Sequence, residues 1–281
     1  MKVVHFTPCS PNTTLASSGI ALWLAKEFKL GLIDSAEKCV KDDTYLVVNS
    51  PWAFCDFRDK AQAMIKGKRV IWVQNDFAID IPTAFRGYEK IWTTCSLGRP
   101  NEVYMNWNQL TYIPVAGKAE RATERILYYG AFREDRRSVF EKYLKSKHAT
   151  YVSCSRKASA KFLQMNPKIT ILSPFNPREL MASVHCGLYI QDKTSDKEYH
   201  SPANRFYEYM SGESAILFDQ PTQKTMEKAG YDVSEYLVNS ADEFMEKSKE
   251  WKKIAEAQSA WRKDYRGELR KIASAEIEKL A

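Results

Sequence analysis

Arg205 and Glu208 stand three residues apart in Asn204-Arg205-Phe206-Tyr207-Glu208-Tyr209-Met210. This stretch reads as a helix, closes on Ser211-Gly212 and leads into the apolar strand Ala215 to Phe218. Helical spacing places both charges on one face. An arginine there can grip a diphosphate while the carboxylate accepts hydrogen bonds from ribose hydroxyls; the two can equally form a plain helix ion pair. A second set begins after Tyr129, with Gly130 and then Arg133, Glu134, Asp135, Arg136 and Arg137 around a helix start. Arg133 and Arg137 are four apart, and one helical face carrying both would stabilise a departing diphosphate; a solvated run neutralised by Glu134 and Asp135 is the plainer reading. Asp76 follows the strand Arg69 to Gln74 and Asn75. At a strand's carboxyl end it is placed as a general base or as a simple loop cap, with Asp80 a weaker competitor.

Such residues need a scaffold that gathers strand ends and helix starts. Lys2 to Thr7 is a short strand, followed by a polar loop and the amphipathic helix Gly19 to Phe28. Ser18 and Gly19 at that helix start could meet an anion or a sugar hydroxyl through backbone N–H groups, or Ser18 could be an ordinary N-cap. Further strands are expected at Tyr45 to Asn49, Arg69 to Gln74, Lys90 to Thr94 and Thr111 to Val115, with a helical segment at Ala61 to Lys66. After the polar stretch Gly117 to Glu124 the series restarts at Ile126 to Tyr129, Thr150 to Cys154, Thr170 to Leu172, Gly187 to Ile190, Ala215 to Phe218 and Glu235 to Val238. Helices are expected at Arg137 to Lys145 and Arg178 to Ser183, and the chain from Ala241 to Leu280 reads as helical. Strands alternating with helices imply an α/β protein with parallel, doubly wound sheets. We expect two Rossmann-like domains, 1–116 and 117–255, facing across a cleft that holds the site, and a helical tail, 256–281, packing back on the first domain.

Composition narrows the chemistry. Over 281 residues, 44% are hydrophobic, which fits a folded chain, and the formal charge of +7 fits a polyanionic partner. The six cysteines are far apart and form no CxxC pair, so reduced core thiols are expected rather than a zinc site. Neither a Walker A motif nor GxGxxG occurs, and four scattered histidines give no metal-ligand set. The sequence shows no signal peptide and no apolar run approaching about 18 residues, so a soluble, cytoplasmic protein without a membrane partner is expected.

With these residues in order, the chain resembles the DNA β-glucosyltransferase family of T-even bacteriophages, two-domain GT-B sugar transferases. Val70 to Pro82 is similar to the family's strand, aspartate and proline-containing loop, and implies Asp76 as catalytic base. Gly130-Ala131-Phe132-Arg133 with Arg137 is similar to its diphosphate segment. Arg205 and Glu208, followed by Met210-Ser211 and a strand ending in Asp219, resemble its remaining donor-binding helix. Val47-Val48-Asn49-Ser50 is similar to the family's second strand, and Leu172 to Leu180 takes the place of its uracil-contacting loop, implying Phe175 or Asn176 at the base. The likeness runs to about Asp219.

What the resemblance implies is an inverting transfer of a hexose, glucose from UDP-glucose foremost, to the hydroxyl of a 5-hydroxymethylpyrimidine in double-stranded DNA. Ser18, Gly19, Gly130, Arg133, Arg137, Phe175, Asn176, Arg205 and Glu208 would bind the donor. Arg58, Lys60, Lys66, Lys68, Arg69 and Arg86 would meet DNA phosphates. The target nucleotide would be flipped out. The protein would work as a monomer without a tightly bound metal, with stimulation by Mg2+ or Mn2+ open, in an infected bacterial cell if phage-encoded. Two departures matter: Gly19 follows Ser17-Ser18 where the family carries a glutamate, and the chain is shorter. His200 lies eight positions before Glu208, where retaining GT-B enzymes carry a second glutamate, which favours inversion. The rival reading is a GT-B enzyme acting on a glycan, lipid or small molecule.

Overall fold

The computed structural model describes residues 1–9, 16–49, 56–74, 87–94, 100–115, 125–172, 182–191 and 201–280. The chain divides into two units, Met1–Leu110 with Tyr265–Ala281, and Thr111–Asp264.

The first unit is built on a parallel sheet of six strands. These are β1 (Lys2–His5), β2 (Gly31–Ile33), β3 (Thr44–Val48), β4 (Arg69–Gln74), β5 (Lys90–Thr93) and β6 (Glu102–Tyr104). Their order is β2-β1-β3-β4-β5-β6. β3 is buried at all of its residues, as a strand covered on both faces by crossover helices must be. The helices α1 (Ala16–Glu27) and α2 (Arg58–Ile65) make two of those crossovers.

The second unit has β7 (Ile126–Tyr129), β8 (Thr150–Ser153), β9 (Thr170–Leu172), β10 (Cys186–Tyr189), β11 (Ala215–Asp219) and β12 (Leu237–Val238). The order is β12-β11-β10-β7-β8-β9, all pairs parallel. Counted from β7, this is the 3-2-1-4-5-6 arrangement of dinucleotide-binding folds, and the winding reverses between β7 and β10. Its helices are α3 (Arg137–Leu144), α4 (Arg156–Met165), α5 (Asn204–Ser211), α6 (Gln223–Lys228), α7 (Ala241–Ser248) and α8 (Trp251–Ala257). Ile126, Tyr128, Val152, Leu188 and Leu217 meet Phe140, Phe162 and Phe244 in its main core.

The last helix, α9 (Tyr265–Glu278), returns to the first unit. Leu269, Ala273 and Leu280 join Val3, Ile20 and Leu24 in one core cluster. Lys90 pairs with Glu276 at 2.7 Å, and Arg69 Nη1 donates to the Leu280 carbonyl at 2.7 Å.

The strand expected at Thr111 to Val115 does not form. Thr111 closes a short 3-10 turn, Pro114 has no N–H to offer a ladder, and Ser211 takes the local donors. The Ile113 N–H donates to Ser211 Oγ at 2.9 Å, and the Val115 N–H to the Ser211 carbonyl at 3.0 Å. Two strands were missed, β2 and β6. Both are three-residue edge strands, too short and too exposed to carry an apolar period. The expected helix Arg178 to Ser183 lies, but for its last two residues, outside the described residues, as do Gly117 to Glu124.

Candidate functional site

In doubly wound sheets, ligands bind outside the carboxyl ends of the strands where the winding reverses. In the second unit this point lies between β7 and β10, and Gly130 and Arg205 meet there. Gly130 follows β7 with φ +143°, a backbone state that side chains rarely adopt, and its N–H donates to the Ser153 carbonyl at 3.0 Å. A Cβ at Gly130 would stand 3.0 Å from Tyr128 Oη and 3.3 Å from Arg205 Nη1, so the bare glycine lets the arginine cross the strand end.

Arg205 comes from the first turn of α5. That helix is seated by Tyr209, whose ring lies where a Gly187 side chain would be: a Cβ there would be 1.9 Å from Tyr209 Cε1. The partly buried Arg205 guanidinium donates from Nη1 to Tyr128 Oη (3.1 Å) and to the Ile190 carbonyl just beyond β10 (3.2 Å). It lies 5.6 Å from the Tyr128 ring centre and 5.9 Å from that of Tyr189. Burial works to lower its pKa, and the tyrosine oxygens more than offset that, so the group stays charged. Among the described residues no carboxylate pairs with Arg205, and its Nε and Nη2 make no hydrogen bond. The helix ion pair with Glu208 therefore does not form. A charged, half-covered guanidinium that no described carboxylate pairs is a position where a bound anion would be stabilised.

Arg133 and Arg137 do not sit together as their four-residue spacing predicts. Arg133 is exposed and extended (φ −128°, ψ 138°), and a 3-10 turn, Glu134–Arg136, separates it from α3, so the two arginines do not share a helical face. Arg137 opens α3, lies 5.4 Å from the Phe132 ring centre, and pairs with Glu134 at 2.9 Å. Hydrogen bonds from Arg137 and Lys161 hold the Glu134 pKa below its usual range. The residue between them was overlooked. Arg136 is 4% exposed, and its Nη1 donates to Tyr128 Oη at 3.2 Å. A signal was present: Arg136 extends backwards the apolar stripe of Phe140 and Leu144, so a charge there was bound to be buried. Glu208 lies on α5, partly buried, one turn beyond Arg205.

In the first unit Ser18 is not an N-cap, because α1 already begins at Ala16. Its fully buried Oγ lies beside the Cys9 thiol, which burial and the nearby Asp34 push up to about 11. Gly19 is exposed and open. His5, at the end of β1, is fully buried. Its Nδ1 donates to the Thr7 carbonyl (2.6 Å), so Nε2 accepts from Ser17 Oγ (3.1 Å). Arg58 and Lys60 lie at the start of α2, and Lys60 donates to the Ala36 carbonyl. Lys66 and Lys68 stand at the opposite edge of the sheet, before β4, which at six residues sets them about 20 Å from its carboxyl end. Lys68 is also paired with Asp43 at 2.8 Å and Arg69 with Glu89 at 2.9 Å. These three thus stand at the amino end of β4, away from the carboxyl edge of the sheet. Asn75, Asp76, Asp80, Arg86, Phe175, Asn176 and His200 lie outside the described residues. Among the described residues no three His, Cys, Asp or Glu side chains gather to hold a metal ion.

Two parallel six-stranded α/β units with a helix returning to the first define the GT-B fold. Solved structures of that fold resemble the chain along nearly its whole length. The DNA-modifying β-glucosyltransferase, determined with and without uridine diphosphoglucose, superposes with a TM-score of 0.68 at 15% identity, covering 98% of each chain. T4 phage BGT with UDP and Mn2+ gives 0.65 at 16%, covering 97% of this chain and 96% of the other. HepE from Anabaena in complex with UDP gives 0.54 at 8%, covering 99% and 100%. No protein-family model and no curated protein sequence matches the chain.

Proposed function

We propose that the protein is a UDP-sugar-dependent glycosyltransferase that moves a hexose, glucose foremost, onto the hydroxymethyl group of a modified pyrimidine in double-stranded DNA. The observation that carries the donor half is Arg205, a half-buried guanidinium at the winding reversal of the second sheet with no carboxylate partner among the described residues. Its Nε and Nη2 are the donors a diphosphate would take. Arg133 is exposed at the same strand end, and the exposed Arg137–Glu134 pair is weak enough to be exchanged for a phosphate. Glu208, one turn along α5, would accept from ribose hydroxyls; Phe175 and Asn176 would meet the base.

In the reaction, the Asp76 carboxylate takes the proton of the acceptor hydroxyl while the oxygen of that hydroxyl bonds to the anomeric carbon. The bond from that carbon to the diphosphate oxygen breaks, and UDP leaves with the electron pair, its charge held by the arginines. The target nucleotide is turned out of the duplex to reach the carboxylate. Arg58 and Lys60, at the carboxyl-edge start of α2, are the phosphate contacts the geometry favours over Lys66 and Lys68. Likeness to a DNA-modifying glucosyltransferase supports the DNA acceptor. Likeness to a UDP complex of HepE supports only the donor half, which a glycan- or lipid-directed enzyme would share.

The test is incubation with radiolabelled UDP-glucose and matched duplexes containing 5-hydroxymethylcytosine, 5-hydroxymethyluracil or only ordinary bases, beside a lipid extract. Label moving to a hydroxymethylated duplex, and lost in Asp76→Asn, is the expected result. Label moving to lipid alone, or undiminished transfer by Asp76→Asn, would overturn the acceptor or the base assignment respectively.

A further inference from the structure

We infer that Tyr128, with Arg136, is the positioning device of the diphosphate site: one buried phenol oxygen holds two guanidinium groups at the strand ends. The inference rests on the donor reading above and deepens it. A tyrosine hydroxyl has one hydrogen to give and two acceptor positions. At Tyr128 all three are used: it donates to the Ala131 carbonyl (3.3 Å) and accepts from Arg136 Nη1 (3.2 Å) and Arg205 Nη1 (3.1 Å). The ring cannot swing away, because Phe140 (5.0 Å between centroids) and Phe162 (6.0 Å) clamp it in the core. The arginines reach that oxygen from different elements, Arg136 from the turn before α3 and Arg205 from α5.

Two consequences follow from the chemistry. Anchoring Arg205 by Nη1 fixes its Nε and Nη2 edge as a fork, which matches two oxygens of a phosphate better than a freely rotating side chain does. Bringing a second guanidinium to the same oxygen ties the turn before α3 to α5, so neither group can rotate without breaking a bond to the shared phenol. Gly130 completes the device, since a side chain there would press on both Tyr128 Oη and Arg205 Nη1.

The experiment compares wild type, Tyr128→Phe and Arg136→Gln in calorimetric titrations with UDP, uridine and inorganic pyrophosphate, after confirming each fold by its thermal transition. Tyr128→Phe keeps the ring packing and removes the shared oxygen. UDP affinity is expected to fall about tenfold or more, the scale of a hydrogen bond to a charged group, while uridine affinity stays unchanged. Arg136→Gln gives the same split and serves alone if Tyr128→Phe does not fold; Arg136→Lys restores most of the loss. An equal loss of uridine and UDP would mark a merely structural role and overturn the inference, as would unchanged UDP affinity in both variants. Wild type binding pyrophosphate but not UDP would overturn the uridine-donor reading and leave this device standing, whereas binding neither would overturn both.

Discussion

At the scale of single residues, the candidate site turns on groups whose surroundings oppose their chemistry. Arg205 keeps its charge under cover because tyrosine oxygens replace water around it, and among the described residues its Nε and Nη2 make no hydrogen bond. His5 shows the converse. Burial lowers its pKa below the usual 6.5, only partly offset by its hydrogen bond to Thr7 and the nearby Asp34. The unfolded chain therefore binds a proton that the folded chain resists. Stability contributed by neutral His5 is fully present above about pH 6.5 and is lost as the pH falls from there towards the folded pKa. Urea unfolding at pH 7.5 and pH 5.5 should show wild type weaker at the lower pH and His5→Gln with a smaller difference. An identical pH difference in both proteins would remove His5 as the cause.

At the scale of elements, α5 is held where its first turn overhangs the switch point by a glycine in a neighbouring strand. Gly187 pairs with Leu127 across the sheet, and its missing side chain is filled by the Tyr209 ring, whose hydroxyl donates to the Leu127 carbonyl at 3.3 Å. Gly187→Ala forces a methyl group into that ring, so the helix must shift. The expected cost is about 1–3 kcal/mol of stability, read as a lower urea midpoint, together with weaker UDP binding because Arg205 moves with the helix. Unchanged stability and UDP affinity would show that the helix is seated by other contacts.

At the scale of the whole molecule, the chain makes its first sheet, then the second unit, and comes back to finish the core it began with. The Leu269 side chain is 1% exposed among residues from the other end of the sequence. Leu269→Ala should therefore cost about 2–5 kcal/mol, as buried leucines do, in the unfolding of the first unit followed by a fluorescence probe on its tryptophans. A loss under 1 kcal/mol would mean that the last helix is only lightly docked.

The sequence by itself determined the class of fold and offered strand ends and helix starts as candidate places for chemistry. The central strands β3, β4, β7 and β10 are short apolar runs because parallel strands are covered on both faces, so their composition announces them. Gly130 and Arg205 stood out in the sequence because the glycine follows such a strand and the arginine opens the helix leading into another. The structure alone decided what these residues touch. The order β12-β11-β10-β7-β8-β9 puts Gly130 and Ile190 side by side though sixty positions separate them in the chain, and no local period encodes that adjacency. It also decided that Arg136 rather than Arg137 turns inward, because a 3-10 turn rotates the chain ahead of α3 and breaks the helical spacing on which the sequence argument relied. Edge strands, turn geometry and shared hydrogen-bond acceptors are set by tertiary packing, and those are the features that bring Arg136 and Arg205 to one tyrosine oxygen.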